Sequence, residues 1–326
     1  MHRARTLVGV VVIPLLIFLL LAELGLRVYL TRHTLYDVEM SRYATEFKLR
    51  AENPRIGHVH RPGREGRLMN VAVRINADGL RDDELPRERG EARRLVFLGD
   101  SLTFGWGVEK PQTFEHLLER RLSEEVAPTE IVNFGTGNYD TTQEVQLFLE
   151  KGLAYAPDAV VVFYFINDAE PVPRRSRWWW LGYSRLMTLY WSRIEALTAR
   201  FSPATGFRQY YAALYADDQP GWREARESLL ELSEVCAERV IRLQVVILPD
   251  FHQLVDYPFA REHATIRAFL EAHDIPILDL APRFADQNDP TSLWVARDDA
   301  HPNAKGHALI AQYSFDTLRE IVDEAR

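Results

Sequence analysis

Five short, uninterrupted aliphatic runs, separated by longer amphipathic stretches, constrain this chain more than any other feature. They are Leu95 to Leu98, Ile131 to Phe134, Ala159 to Phe165, Leu243 to Leu248 and Ile275 to Leu278. A continuous apolar run, unlike an alternating one, describes a strand covered on both faces, and covered strands separated by helices belong to a parallel sheet. Helices are expected near Thr113 to Glu125, Thr142 to Ala154, Arg223 to Arg239 and Arg261 to Ala272, with a last one after His301. The fold class that follows is α/β, a three-layer α/β/α sandwich, and 326 residues suit one such core with appendages.

Two regions break the rhythm. The stretch from about Ala169 to Gly221 exceeds an ordinary crossover and reads as an insertion. Within it Trp178, Trp179, Trp180, Tyr183, Tyr190 and Trp191 alternate with Arg174, Arg175, Arg177, Arg185 and Arg193. That mixture suits a helix at a membrane interface or a lid over an acyl pocket, and equally an insertion packed on the core. Residues 33–92 are polar and punctuated by Pro54, Pro62 and Pro86, with an extended candidate at Val71 to Ile75; they read as a linker and small accessory region.

At the N-terminus, Leu7 to Ala22 carries no charge, and apolar character resumes after Glu23 through Leu26. Counted through Leu26 the segment reaches the roughly 20 residues that a membrane-spanning helix needs. Arg3 and Arg5 precede it, which keeps the N-terminus cytoplasmic and sends the remainder across, against a weaker opposing signal from Arg27 and Arg32. No small-x-small cleavage site stands around Ala22, so residues 1–32 are expected to remain as an anchor rather than leave as a signal peptide.

A net charge of −8 supplies no excess of positive charge for a phosphate backbone, so nucleic acid is not an expected partner. Cys236 is the only cysteine, which excludes an intrachain disulfide and a cysteine-rich zinc site. His58 and His60 have no identifiable third ligand, and neither metal nor cofactor is expected. His252 and His263, flanking Asp256 and Tyr257 beyond the fourth run, could line a cleft but read first as structural histidines.

The first run ends directly in Gly99-Asp100-Ser101-Leu102, which puts a serine at the carboxyl edge where open α/β sheets bind ligands. A phosphate loop is excluded because Gly-x-x-x-x-Gly-Lys-Ser/Thr does not occur, and Thr103 stands where the nucleophile elbow of α/β-hydrolases requires glycine. Gly-Asp-Ser alone is ordinary turn chemistry, and acquires meaning only with a base elsewhere. Asp298-Asp299-Ala300-His301-Pro302-Asn303 offers one before the last amphipathic helix, with Pro302 suited to the first helical position. Asp298, three residues before His301, is expected to hold Nδ1 and leave Nε2 for the serine; Asp299 is expected to cap the helix or face solvent. Donors for a developing oxyanion are expected from the Gly135 to Tyr139 turn after the second run and from Asn167 after the third.

Ser101, the glycine turn, Asn167 and His301, in that order, resemble the SGNH/GDSL hydrolase superfamily, named for blocks carrying Ser, Gly, Asn and His. The likeness covers about residues 94–320, with Ile75-Asn76 and Gly79-Leu80-Arg81 as a fainter echo of membrane-anchored bacterial members. It implies five parallel strands in flavodoxin-like order, a Ser101–Asp298–His301 triad, and an oxyanion hole from the Ser101 N–H, a turn amide and Asn167. In the glycine block the expected donor falls by register on Asn138 rather than Gly137, and both stay open; in the asparagine block, Phe165 stands where glycine often precedes. The implied activity is ester hydrolysis through an acyl-enzyme on an acyl-ester substrate, carbohydrate or lipid. Acyl transfer in envelope polysaccharide assembly and non-catalytic carbohydrate binding are the alternatives.

Overall fold

The computed structural model describes residues 8–87, 90–171, 182–201 and 206–324. Two compact units emerge, one of Met1–Phe47 with Arg175–Pro203, the other of Lys48–Arg174 with Ala204–Arg326. Arg3 and Arg5, and Trp178 to Trp180 with Arg174, Arg175 and Arg177, lie outside the described residues.

In the larger unit, β1 (Lys48–Arg50) pairs antiparallel with β2 (His58–His60), and β3 (Glu65–Leu68) with β4 (Val71–Arg74). The five aliphatic runs become β5 (Arg93–Gly99), β6 (Thr129–Asn133), β7 (Ala159–Tyr164), β8 (Arg242–Ile247) and β9 (Ile277–Asp279). They form one parallel sheet in the order β6-β5-β7-β8-β9, the flavodoxin-like arrangement. Successive side chains along each strand enter opposite cores, which is why the runs had to be apolar throughout. Val96, Leu98, Val160 and Val162 meet the helices Thr141–Lys151, Pro220–Glu238 and Ala260–Glu271 on one face. Leu95, Phe97, Val161 and Phe163 meet the helices Phe114–Glu125 and Ala304–Glu324 on the other.

The last helix begins later than the sequence suggested. Pro302 closes β11 (Asp299–Pro302), which pairs antiparallel with β10 (Trp294–Ala296), and the helix starts at Ala304. Its cap is Asn303, whose Oδ1 accepts the N–H groups of Lys305 (2.9 Å) and Gly306 (3.2 Å). His301 therefore sits on a short strand, held by pairing, rather than in an entry loop.

In the smaller unit, Gly9–Tyr29 is one continuous helix of 21 residues with mean hydropathy 2.6 and none of it buried, the single candidate membrane span among the described residues. Glu23, the charge that interrupts the apolar segment, has a structural role. Its carboxylate accepts the N–H groups of Arg185 (3.1 Å) and Leu186 (2.8 Å) and the Ser184 hydroxyl (3.0 Å) at the start of the helix Arg185–Phe201. A helix N-terminus favours a negative group, so the acid caps a second helix far away in sequence. Tyr190 and Trp191 on that helix are exposed.

Candidate active site

β5 ends in Gly99, Asp100 receives the Leu102 N–H on Oδ1 (2.8 Å), and Ser101 opens a one-turn helix through Phe104. The accessory region holds this turn from behind. Buried Arg81 donates to the carbonyls of Phe104 (2.9 Å) and Val108 (2.6 Å), and also to that of Gly105. The turn after β6 presses on it from the side: Thr136 N–H donates to Gly99 O (3.0 Å), and a Cβ at Gly135 would stand 2.2 Å from the Phe104 nitrogen. Only glycine permits that approach of backbone to backbone.

Ser101 Oγ lies 2.8 Å from His301 Nε2, across 200 residues of chain. His301 Nδ1 lies 2.5 Å from Asp299 Oδ1. A carboxylate only accepts, so Nδ1 carries the ring proton and Nε2 accepts from the serine hydroxyl. The partner of His301 is thus Asp299 and not Asp298, a correction to the sequence-based expectation. Its reason is the hairpin. Ala296 pairs with Asp299, so Arg297 and Asp298 form the exposed turn, whereas Asp299 and His301, two apart on β11, project to the same side. Asp299 is buried, and its second oxygen receives the Trp106 indole N–H at 2.8 Å. Burial pushes the Asp299 carboxyl up, but the His301 ring, its N–H and the Trp106 indole outweigh it and hold the acid below its ordinary value.

Of the residues expected to donate to an oxyanion, Asn167 is bonded to the neighbour of Ser101. Asn167 stands in the turn after β7 with Nδ2 3.2 Å from Asp100 Oδ2. Gly137 and Asn138 form the tip of the turn after β6, with Asn138 left-handed at φ 63°. The Gly137 carbonyl is gripped from β1 and β2, by Lys48 Nζ at 2.6 Å and His58 Nε2 at 3.3 Å; Lys48 also reaches Asn138 Oδ1 at 3.2 Å. Among the described residues, no acceptor engages the backbone N–H of Ser101 or of Asn138. Burial draws the Lys48 ammonium down to about 7 and pushes the Asp100 carboxyl up. The sequence carried no local sign of Trp106, Lys48 or His58, which act through contacts formed only on folding. No cluster of three potential metal ligands occurs among the described residues.

Residues 97–309 match the GDSL-like lipase/acylhydrolase family. The chain belongs to that family. As a GDSL-like protein it is, at the level the family defines, an ester-hydrolysing enzyme. No curated protein matches it. Solved structures similar to this GDSL-like chain include an alpha/beta hydrolase from the metagenome of Lake Arreo, Spain, at 19% identity, covering 72% of this chain and 98% of that one with a TM-score of 0.48. An acetylxylan esterase mutant from Geobacillus stearothermophilus shows 18% identity, 73% and 97% coverage, and a TM-score of 0.46. A psychrotrophic esterase from Pseudoalteromonas sp. shows 14% identity, 71% and 100% coverage, and a TM-score of 0.44.

Proposed function

We propose that this chain is a membrane-held serine esterase that works through an acyl-enzyme on Ser101, acting outside the cytoplasmic membrane on acylated carbohydrate. The observation that carries the chemistry is the unbroken line from Ser101 Oγ through His301 to buried Asp299, at 2.8 and 2.5 Å. His301 Nε2 takes the serine proton as Oγ attacks the ester carbonyl, and the imidazolium that forms is stabilised by Asp299. The same proton passes to the departing alcohol, and water, activated by His301, releases the acid.

The oxyanion is met by the Ser101 N–H, the Asn138 N–H and the Asn167 amide. The choice of Asn138 over Gly137 follows from peptide planarity. In a trans peptide the carbonyl of Gly137 and the N–H of Asn138 point in opposite directions, so a carbonyl drawn toward Lys48 and His58 turns the Asn138 N–H away from them and leaves it available to an oxyanion. Asn167 keeps one amide hydrogen on Asp100 and has a second for substrate. The hydrogen-bonded line Ser101–His301–Asp299 counts against a purely binding role.

Anchoring rests on the exposed apolar helix Gly9–Tyr29 and on the exposed Tyr190 and Trp191, the aromatic types that favour membrane interfaces. Transfer of the acyl group to a glycan hydroxyl uses the same intermediate and differs only in which nucleophile reaches it.

The test uses the full chain in detergent micelles. Hydrolysis of p-nitrophenyl acetate, butyrate and octanoate is followed for wild type, Ser101→Ala and His301→Ala, with intact-mass detection of fluorophosphonate labelling. Serine-dependent turnover with labelling at Ser101 is expected. Folded wild-type protein that neither turns over nor labels would defeat the reading.

A further inference from the structure

The loop after β8 carries a second histidine–carboxylate pair, which the triad does not use. Asp250 is buried, and its Oδ1 lies 2.7 Å from His252 Nδ1. Its other oxygen has no hydrogen-bond partner among the described residues. The acid therefore depends on the ring beside it, whose Nδ1–H it accepts, and the tautomer so selected leaves Nε2 as the free functional nitrogen. No described residue bonds that nitrogen, and the His252 side chain is 53% exposed.

Two aromatic rings flank this histidine. Phe207, itself 47% exposed, has its ring centroid 4.8 Å from that of His252. Trp294 stands 5.7 Å away, with its indole N–H committed to the Phe251 carbonyl at 2.7 Å. Trp294 belongs to β10 and pairs directly with Pro302, the neighbour of His301, so one of the rings flanking His252 sits on the hairpin that carries the triad histidine. Both histidines lie at the carboxyl edge of the sheet, where ligands of such folds collect.

The loop is held firmly. Asp250 N–H donates to the Tyr257 hydroxyl (2.9 Å), which bonds His263 Nε2 (3.0 Å), whose Nδ1 meets Asp279 (2.9 Å). A turn needs only the His252 N–H on Asp250 Oδ1, present at 3.3 Å; a half-exposed ring set between Phe207 and Trp294 serves something else.

We propose that His252, positioned by Asp250 and flanked by Phe207 and Trp294, forms the subsite for the alcohol side of the ester, a sugar ring. His252 Nε2 accepts a hydrogen bond from a sugar hydroxyl, and the C–H face of the sugar ring lies against Phe207 and Trp294. An acyl chain is the poorer occupant, because it would cover a histidine–carboxylate pair without satisfying it. The hydrogen bond to Asp250, with the charges of Asp250 and Asp299, outweighs burial and raises the proton affinity of His252, which makes Nε2 a stronger acceptor for a hydroxyl hydrogen.

The inference rests on the esterase reading, and the test separates the two. On the full chain in micelles, fluorophosphonate labelling of wild type at Ser101 checks the esterase reading. The subsite is checked by the ratio of kcat/KM for a mono-O-acetyl methyl glucoside to that for p-nitrophenyl acetate. His252→Ala and Phe207→Ala are each expected to lower that ratio about tenfold, the value of one net hydrogen bond or stacking contact, chiefly through KM for the sugar ester. His252→Gln, which keeps a polar terminus, is expected to recover part of it, and circular dichroism reports that the variants fold. Labelled wild type that does not cleave the sugar ester overturns the subsite while leaving the esterase. So does an unchanged ratio, or variants that shift preference among p-nitrophenyl acetate, butyrate and octanoate instead, which would assign the rings to the acyl side.

Discussion

Replacing Asp299 with asparagine tests the geometry most directly, because the neighbouring Asp298 supplies a control of identical chemistry. Asp299 accepts from His301 Nδ1 at 2.5 Å and from Trp106 Nε1 at 2.8 Å, and is buried. An asparagine at that place presents its amide hydrogens to Nδ1, so the ring proton moves to Nε2, and Nε2 can no longer accept from Ser101. In serine hydrolases with the same relay, this tautomer reversal lowers kcat by about ten-thousand-fold. A comparable loss is expected for Asp299→Asn in p-nitrophenyl acetate turnover, with a parallel fall in fluorophosphonate labelling. Asp298→Asn, at the exposed hairpin turn, is expected to change kcat by less than about twofold, because Asp299 and not Asp298 accepts from His301 Nδ1. Trp106→Phe removes one bond to the charged acid, about 1.5–3 kcal/mol, and is expected to fall between them at roughly ten- to hundredfold. A larger loss from Asp298→Asn than from Asp299→Asn, or near-full activity in Asp299→Asn, would refute the assignment.

Two further predictions follow from groups around the turn after β6. Lys48→Met frees one of the two grips on the Gly137 carbonyl, so kcat for p-nitrophenyl acetate is expected to fall about tenfold with KM within about twofold, a share of the loss seen on removing an oxyanion donor outright. Lys48→Arg should restore part of it; equal changes in kcat and KM would instead mark a binding role. Burial raises the Glu115 carboxyl to about 8 from 4.5, so the folded state holds a proton that the unfolded chain has lost. The stability contributed by the protonated form is complete below about 4.5 and declines as pH rises through about 8, at up to about 1.4 kcal/mol per pH unit. Urea denaturation of Glu115→Gln is expected to show a flatter profile across that window, and an unchanged slope would assign it to other groups.

The tracing of fold from sequence worked where the information is local. Each strand buries both faces, so Val160 and Val161 had to be apolar although they enter different cores, and that requirement is visible in one run of letters. Ser101 was legible for a related reason, since it follows directly on the run that becomes β5, whereas the sequence marked His301 as a residue but misplaced its element, which is the hairpin strand β11 and not the entry to the last helix.

What the sequence could not decide is which atoms meet once that edge closes. The choice between Asp298 and Asp299 depends on where the β10–β11 hairpin turns, and pairing between strands, not spacing along the chain, sets that register. Trp106 reaches Asp299 across 193 residues, and Lys48 reaches Gly137 across 89. Glu23, in the sequence only a charge that interrupts the apolar segment, caps a helix that begins 162 residues later. Sequence by itself determined the periodicities, and with them the layers and the edge that holds the nucleophile and base. Only the tertiary structure selected the acid and the braces, because those are contacts between segments whose separation leaves no mark on local composition.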